Sequence, residues 1–141
     1  MVDLEPPPQI KDAFYSTVWK IVRLIPSGNV STYGQVASFI PCPEGINPND
    51  YKAYRARWAG NAMAASPQGV PWQRVINSQG KVSFRLSGDL QHKMLESEAV
   101  SFDSHDRVDL KQFGWEGPSP EWLRANGLIA PDEAQQLRFH L

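Results

Sequence analysis

A short capped helix followed by a longer helix of small residues is the feature that most limits how this chain can fold. In VSTYGQVASFI, residues 30–40, Thr32 is followed three residues later by Gln35, the pattern of a capping box at a helix start. Three prolines and a glycine in residues 41–52 predict an irregular loop. A second helix is then predicted from about Ala53 to Ala65, and two consecutive helices of this kind are typical of a helix-turn-helix.

The flanking segments extend this pattern. Apolar residues at helical spacing predict a helix over residues 9–25, which Pro26 ends. Residues 75–76 and 81–83 flank a polar turn at 77–80, which predicts a small hairpin. We therefore predict a mostly α-helical fold with a small β-hairpin, of the helix-turn-helix or winged-helix type.

The second half of the chain is predicted to add further helices. Ser87 is typical of an N-cap, for a helix through about Glu98 whose residues Leu90, Met94 and Leu95 face inward. Two shorter helices are predicted to start at Ser119-Pro120, ending at Gly127, and at Pro131.

Length and composition limit the class of protein. The 141 residues suffice for one domain with a core of its own. No apolar run approaches the roughly 18 residues of a spanning helix, and the acidic, proline-rich start is unlike a secretory signal, so we expect no membrane partner. Cys42 is the single cysteine, which excludes an internal disulfide and fits a reducing compartment. The three histidines are scattered, so we expect no metal, and no other cofactor is implied.

The charge is distributed unevenly along the chain. The net charge is -1, yet residues 51–88 contain no Asp or Glu and hold six basic residues. They are Lys52, Arg55, Arg57, Arg74, Lys81 and Arg85. A purely basic segment in a slightly acidic protein indicates a localised anionic partner, for which DNA phosphates are the obvious candidate. Six charges that merely solvate one face are the alternative.

The second predicted helix has few side chains long enough to contact base edges. Residues 53–65 contain six alanines and one glycine instead. Small residues let a backbone approach the walls of a narrow groove, which favours shape and phosphate contacts in the minor groove over sequence readout.

Three segments carry a resemblance to a known family. VSTYGQVA, ARWAGNAM and PWQRVINSQGK, in this order and spacing, resemble the DNA-binding and active-site segments of the O6-alkylguanine-DNA alkyltransferases. In that family the third segment contains Pro-Cys-His-Arg-Val, and its cysteine accepts the alkyl group from the damaged base. Here Trp72 and Gln73 stand at the cysteine and histidine positions. A tryptophan there is typical of the alkyltransferase-like (ATL) proteins, which the chain resembles from about Phe14 to Phe102, so the fold of the alkyltransferases' C-terminal domain is implied.

This substitution removes the chemistry of alkyl transfer. The reaction needs a thiolate that a neighbouring base helps to form, and neither the Trp72 indole nor the Gln73 carboxamide supplies one. Glu98 matches the family's glutamate that orients the histidine, and without that histidine we interpret it as a helix-end carboxylate. Cys42 is remote from the turn in sequence and is not expected to replace the nucleophile. We predict that the protein is not an alkyltransferase.

The resemblance also implies a DNA-binding surface. Tyr33 matches the tyrosine that helps to rotate the target nucleotide out of the duplex, and Arg57 matches the arginine that fills the gap left by the extruded base. Without the resemblance, Tyr33 would be interpreted as a core aromatic and Arg57 as a phosphate contact. The predicted DNA-binding residues are Tyr33, Lys52, Arg55, Ala56, Arg57, Gly60 and Asn61.

A lesion pocket is implied beside this surface. Trp72 would offer an aromatic wall to the alkyl group, and Arg85 matches an ATL arginine that donates to the lesion base or stacks on it. A surface charge is the alternative for Arg85, and Arg74 is expected to be structural. The predicted pocket residues are Tyr33, Trp72, Val75 and Arg85.

The resemblance implies a non-enzymatic function. We predict a protein that binds O6-alkylguanine in duplex DNA, flips the nucleotide and flags the lesion for nucleotide excision repair. Its expected partners are damaged double-stranded DNA and excision repair proteins, bound by a monomer in the nucleus of a eukaryote or otherwise in the cytoplasm. Residues 1–102 are predicted to form the ATL domain, with a flexible start at 1–8, and residues 103–141 an extension that packs on it. A partner-docking patch is the alternative for the extension's aromatic residues Phe113, Trp115 and Trp122.

Two other classes of function stay open. A winged-helix regulator would bind a specific operator, although the second helix has few of the Asn, Gln and Arg residues that base readout uses. An enzyme would need residual transfer through Cys42 or base excision, for which Lys52 and Lys81 are the available groups, both expected at the surface.

Overall fold

The computed structural model describes residues 5–82 and 88–131. Helix α1 (Pro8–Val22) corresponds to the predicted apolar stripe, but it ends at Val22, three residues before the predicted end, with Arg23 as its C-cap. One face of α1 is buried in the larger of two core clusters, through Phe14, Tyr15, Val18, Ile21 and Val22. No helix in the described ranges is both long and apolar enough to cross a membrane.

Helix α2 (Tyr33–Ser38) begins at the predicted cap. The hydroxyl of Thr32 accepts a hydrogen bond from the Gln35 backbone N–H at 3.0 Å. The Gln35 side chain does not form the second hydrogen bond of a capping box, which would join it to the Thr32 backbone N–H. Its carboxamide accepts from the Ser31 hydroxyl at 2.6 Å and donates to the Trp115 carbonyl at 2.7 Å, which fastens the start of α2 to a distant segment.

Helix α3 (Pro48–Ala64) begins about five residues before its predicted start. Asn47 caps it by accepting from the backbone N–H groups of Asn49 and Asp50. Pro48 occupies the first helical position, where its missing N–H forfeits no intrahelical bond. The prediction of an irregular loop as far as residue 52 is therefore wrong, because the loop ends at Asn47.

The β structure is a two-stranded parallel sheet rather than the predicted hairpin. Strand β1 (Ser31–Thr32) pairs with β2 (Val75–Ile76), and Ser31 lies opposite Val75. The predicted turn exists and is closed by a 3.1 Å bond from Asn77 N–H to the Lys81 carbonyl, but Lys81 belongs to no strand and residue 83 lies outside the described ranges. Strand β2 is fully buried and pairs with β1 instead of with the residues after the turn. The mostly helical fold class with a small β element is confirmed.

Helix α4 (Gly88–Ser97) follows the predicted course, although its expected cap at residue 87 is outside the described residues. Leu95 is fully buried as predicted, and Met94 is half-buried. The inward orientation predicted for Leu90 is wrong, because that side chain is 54% exposed. The neighbouring Gln91 is buried instead, since its carboxamide finds hydrogen-bond partners in the interior.

Residues 103–131 run along both core clusters. They include α5 (Leu110–Phe113) and α6 (Pro120–Ala125), which starts at the predicted Ser119 cap. The Trp115 N–H donates to the Val30 carbonyl at 2.7 Å, and the Val30 N–H donates to the Phe113 carbonyl at 2.9 Å.

Three aromatic residues of this extension pack against the remainder of the chain. Trp115 and Trp122 contact the larger core cluster, and Phe113 contacts the smaller one. The domain boundary at residue 102 stays a prediction. The structure does not describe residues 1–4 and 132–141. The predicted flexible start therefore lies partly outside the described residues, and the helix predicted to start at Pro131 lies almost wholly outside them.

Two glycines with positive φ allow a test of how the turn after β2 packs on the extension. Gly80 has φ +82°, and a Cβ there would lie 2.5 Å from the Val108 carbonyl oxygen. Gly69 has φ +95° with nothing within 4 Å of its Cβ position. We expect Gly69→Ala to cost about 1 kcal/mol of unfolding free energy, from the left-handed backbone alone. Gly80→Ala should cost about 3 kcal/mol in urea unfolding, because the clash adds to the strain, and equal costs would contradict the packing described.

Candidate nucleic-acid interface

The helix pair α2–α3 presents the predicted DNA-binding residues on one motif. Tyr33 is the first residue of α2, and a Cβ placed on Gly60 of α3 would lie 3.9 Å from its ring. A Cβ at position 60 would thus be in ordinary van der Waals contact with Tyr33, which shows that the two helices lie close together here. Ala56 and Asn61 are half-buried on the same helix.

The basic side chains of α3 differ in whether they contact other residues of the protein. The Arg55 guanidinium lies 5.9 Å from the centre of the Tyr51 ring, a cation–π contact one helical turn away. Arg57 and Lys52 are exposed, and neither side chain forms a hydrogen bond or ion pair with another of the residues described. Both are therefore placed to meet an anionic ligand from solution.

Trp72 opens a single 3₁₀ turn, Trp72–Arg74, that leads into β2. The turn forms because Pro71 precedes it and accepts from the Arg74 N–H at 3.0 Å, while the Trp72 N–H donates to the Val70 carbonyl at 2.8 Å. The Trp72 side chain is half-buried and packs against the larger core cluster, as does Tyr33.

The side chains after Trp72 are held by Glu98, just beyond the end of α4. Glu98 accepts from Gln73 Nε2 at 2.8 Å and from Arg74 Nε and Nη2 at 2.9 and 3.1 Å. Arg74 also donates from Nη1 to the Ile25 carbonyl at 2.8 Å, which joins the end of α1 to the turn. The structural role predicted for Arg74 agrees with this geometry, whereas interpreting Glu98 as a simple helix-end carboxylate is wrong.

The surroundings of Glu98 favour its charged form. Burial alone would raise the pKa of the carboxyl, but hydrogen bonds from Arg74 and Gln73, the charge of Arg74 and the Gly28 amide together hold that pKa below its usual range. Glu98 is therefore a carboxylate at neutral pH, and it accepts from a carboxamide donor at the position where a histidine stands in the alkyltransferases.

The predicted pocket residues are only partly brought together. Val75 has no exposed side-chain surface and belongs to the larger core cluster, so its side chain does not line an open pocket in this structure. Arg85 lies in the segment 83–87, outside the residues described. Trp72 and Tyr33 retain partly exposed side chains at the two ends of the small sheet.

Sequence reasoning missed Gln91, which contacts this turn from α4. Its Nε2 donates to the backbone carbonyls of Gln73 and Val75, at 3.1 and 2.9 Å. The pattern holds one signal that would have pointed to it. Gln91 precedes Glu98 by seven residues, which places both on one face of a helix.

Comparison with known proteins decides the family. Residues 13–100 match the family model described as the 6-O-methylguanine DNA methyltransferase DNA-binding domain. The chain belongs to this family.

Individual relatives within the family are similar to the chain over most of their length. The DNA base-flipping protein of Vibrio parahaemolyticus is 34% identical over 108 residues, which cover 74% of this chain and 98% of the relative. Alkyltransferase-like protein 1 of Schizosaccharomyces pombe is 35% identical over 113 residues, covering 74% and 95%. The crystal structure of S. pombe Atl1 in complex with damaged DNA containing O6-carboxymethylguanine superposes with a TM-score of 0.56, at 35% identity and covering 74% of this chain and 95% of that one. The predicted resemblance to the ATL proteins is confirmed.

The charge of Glu98 gives this family member a pH-dependent contribution to stability. A carboxyl whose pKa is lower in the folded than in the unfolded chain stabilises the fold above its ordinary pKa, and the contribution is lost as pH falls through the folded value. We expect the unfolding free energy of the wild type to exceed that of Glu98→Gln at pH 7. The difference should shrink as pH falls from about 5 to about 3.

Denaturant unfolding at a series of pH values measures this difference. Glu96→Gln is a suitable control, because Glu96 is exposed on the same helix and pairs with His92 alone among the described residues. A wild-type advantage over Glu98→Gln that stays constant down to pH 3 would contradict the pairing described.

Proposed function

We propose that this protein is a non-enzymatic recognition protein for alkylated DNA. It binds duplex DNA in the minor groove through α2 and α3 and rotates an O6-alkylguanine nucleotide out of the helix. It then holds the lesion without removing its alkyl group.

The observation that carries this proposal is Trp72 at the position of the alkyl-accepting cysteine. Its side chain is half-buried, on a turn that the bonds between Glu98 and Arg74 fix to the core. The ring therefore has a fixed position and is suited to form one side of a pocket. An indole provides apolar and aromatic contact to an alkyl group and no nucleophile for transfer. Gln73 is already bonded to the carboxylate and supplies no base.

The DNA-binding part of the proposal is supported by the helix pair and by the relatives. The Arg57 side chain is exposed on α3, and guanidinium insertion would offset part of the few kcal/mol that base flipping costs. One relative is named a DNA base-flipping protein, and Atl1 has been crystallised with DNA that contains O6-carboxymethylguanine. Alkylation at O6 weakens pairing of the lesion, so the damaged nucleotide is the cheaper one to extrude.

We further propose that the bound protein acts as a flag. A monomer that holds the flipped lesion without repairing it would recruit excision repair proteins, in the compartment where the DNA lies: the nucleus of a eukaryotic cell, or otherwise the cytoplasm. Sedimentation of the wild-type protein, alone and with a short duplex, tests whether it is a monomer.

Arg57→Ala tests base flipping against simple phosphate contact. We expect it to weaken binding to an O6-methylguanine duplex by tenfold or more, because the gap left by the extruded base is no longer filled. Lys52→Ala, the matched control on the same helix, should weaken binding to damaged and undamaged duplexes alike and by only a few fold. Fluorescence anisotropy at one fixed salt concentration measures both. A loss in Arg57→Ala no greater than in Lys52→Ala would reduce Arg57 to a phosphate contact.

Trp72→Ala tests the pocket wall. We expect the loss of affinity to grow with the size of the alkyl group, reaching about tenfold for a benzyl adduct, because a larger group loses more apolar contact. Titrations with methyl and benzyl adducts in one duplex sequence measure it, with thermal unfolding of the variant as a check. Equal losses for both adducts, or an unfolded variant, would make Trp72 a core residue alone.

Trp72→Cys tests the absence of transfer chemistry. We expect no methyl transfer from O6-methylguanine DNA, because Gln73 cannot form the thiolate as a base would. Mass spectrometry of the protein after incubation with the lesion duplex detects a retained methyl group, and the wild type reports on Cys42 in the same experiment. A methylated Trp72→Cys protein would contradict this account.

A further inference from the structure

Two residues of α4 hold the Trp72–Arg74 turn from the same side. Gln91 lies in the first half of the helix, and Glu98 follows its last residue, seven positions later. Seven residues are close to two helical turns, so both side chains lie on one face. Glu98 binds the side chains of Gln73 and Arg74, whereas Gln91 binds the backbone on either side of Arg74.

Gln91 holds the backbone of residues 73–75 through hydrogen bonds from its buried side chain. The side chain is 3% exposed, although it is an uncharged polar residue on an otherwise partly exposed helix. One nitrogen, Nε2, donates to the Gln73 carbonyl at 3.1 Å and the Val75 carbonyl at 2.9 Å, which uses both of its hydrogens. Removal of the carboxamide would leave two buried carbonyls without this donor, and the backbone would have to shift to find another.

The side chain of Trp72 depends on that backbone. Its indole N–H forms no hydrogen bond with any residue in the described ranges, and its contact with that part of the chain is packing against the larger core cluster. The turn begins at Trp72 itself, and the first carbonyl fixed by Gln91 belongs to the very next residue. That carbonyl belongs to the peptide between Gln73 and Arg74, inside the same turn, so a shift of this peptide would be passed through Gln73 to Trp72 and its ring. Helix α3, which carries the proposed DNA contacts, is a different element.

We propose that Gln91 is a positioning residue for the lesion pocket, which it serves by fixing the backbone carbonyls of residues 73 and 75 and thereby the orientation of the Trp72 ring. This inference rests on the proposed function, since it gives Gln91 a part in lesion preference. Gln91 touches neither the lesion nor DNA in this account. Its replacement therefore lowers the preference for damaged over undamaged duplex and leaves the affinity for undamaged duplex unchanged.

The test compares Gln91→Met with the wild type. Methionine has about the same length and volume but no donor, so the packing is retained and both bonds are lost. We expect the ratio of affinities for O6-methylguanine and guanine duplexes to fall at least fivefold, with the affinity for the guanine duplex within twofold of wild type. Gln91→Leu, which also has no donor, should behave in the same way, and it decides the question if the methionine variant does not fold.

A control variant separates positioning from stability. Val18→Ala removes fully buried methyl groups in the middle of α1 and lowers the melting temperature without touching the bonds of Gln91. Compared below both melting temperatures, Val18→Ala should keep the lesion preference of the wild type. A folded Gln91 variant with a lesion preference within twofold of wild type would overturn the proposal.

A spectroscopic readout follows Trp72 directly and does not need DNA. The chain has five tryptophans, and labelling with 5-fluorotryptophan gives each a fluorine resonance, with that of Trp72 assigned by its loss in Trp72→Phe. In Gln91→Met the Trp72 resonance should shift or broaden, while those of Trp19 and Trp122 stay in place. An unchanged Trp72 resonance would overturn the proposal. If the wild type itself shows no lesion preference, the proposed function fails, and this spectrum alone decides whether Gln91 positions Trp72.

Discussion

The ion pair between Glu98 and Arg74 joins more of the molecule than any other contact at the site. Through it the end of α4 meets the Trp72–Arg74 turn, and the second arm of the Arg74 guanidinium reaches the Ile25 carbonyl after α1. Charge-assisted bonds of this paired geometry are among the stronger polar contacts in proteins, and both side chains here are largely shielded from water. The turn that carries Trp72 and the sheet that follows it are held in position by this contact.

Much of the fold follows from local patterns. The apolar stripe of α1, the Thr32 cap of α2 and the Ser119-Pro120 start of α6 are each determined by neighbouring residues, and the sequence predicts them correctly. Pro48 is a harder case, because proline occurs both in loops and at the first position of a helix, and the Asn47 cap decides between them. The parallel pairing of β1 with β2 joins residues more than 40 positions apart, which a turn pattern at 77–80 does not reveal.

The residues of the site likewise divide into those that the sequence predicts and those that only the structure shows. Tyr33, Arg57 and Trp72 are found by residue type within family motifs, and the structure leaves Arg57 exposed and the other two partly exposed. The substitution at position 73 suggests a lost relay, yet Gln73 keeps a donor and still bonds Glu98, which a motif comparison does not show. Glutamine is most often a surface residue, so the type of residue 91 argues against burial although its spacing from Met94 and Leu95 places it on the inward face. Its burial is stabilised by two carbonyls that the tertiary fold brings to it.

The central claim is lesion recognition without transfer, and one titration tests it most directly. Two identical short duplexes, one with a single O6-methylguanine and the other with guanine, are titrated with the wild-type protein at one fixed salt concentration, because affinity for DNA varies steeply with salt. The DNA is then analysed for its methyl group. The account predicts binding at least tenfold tighter to the lesion, with the methyl group still on the base. Equal affinities, or a methyl group found on the protein, would contradict it.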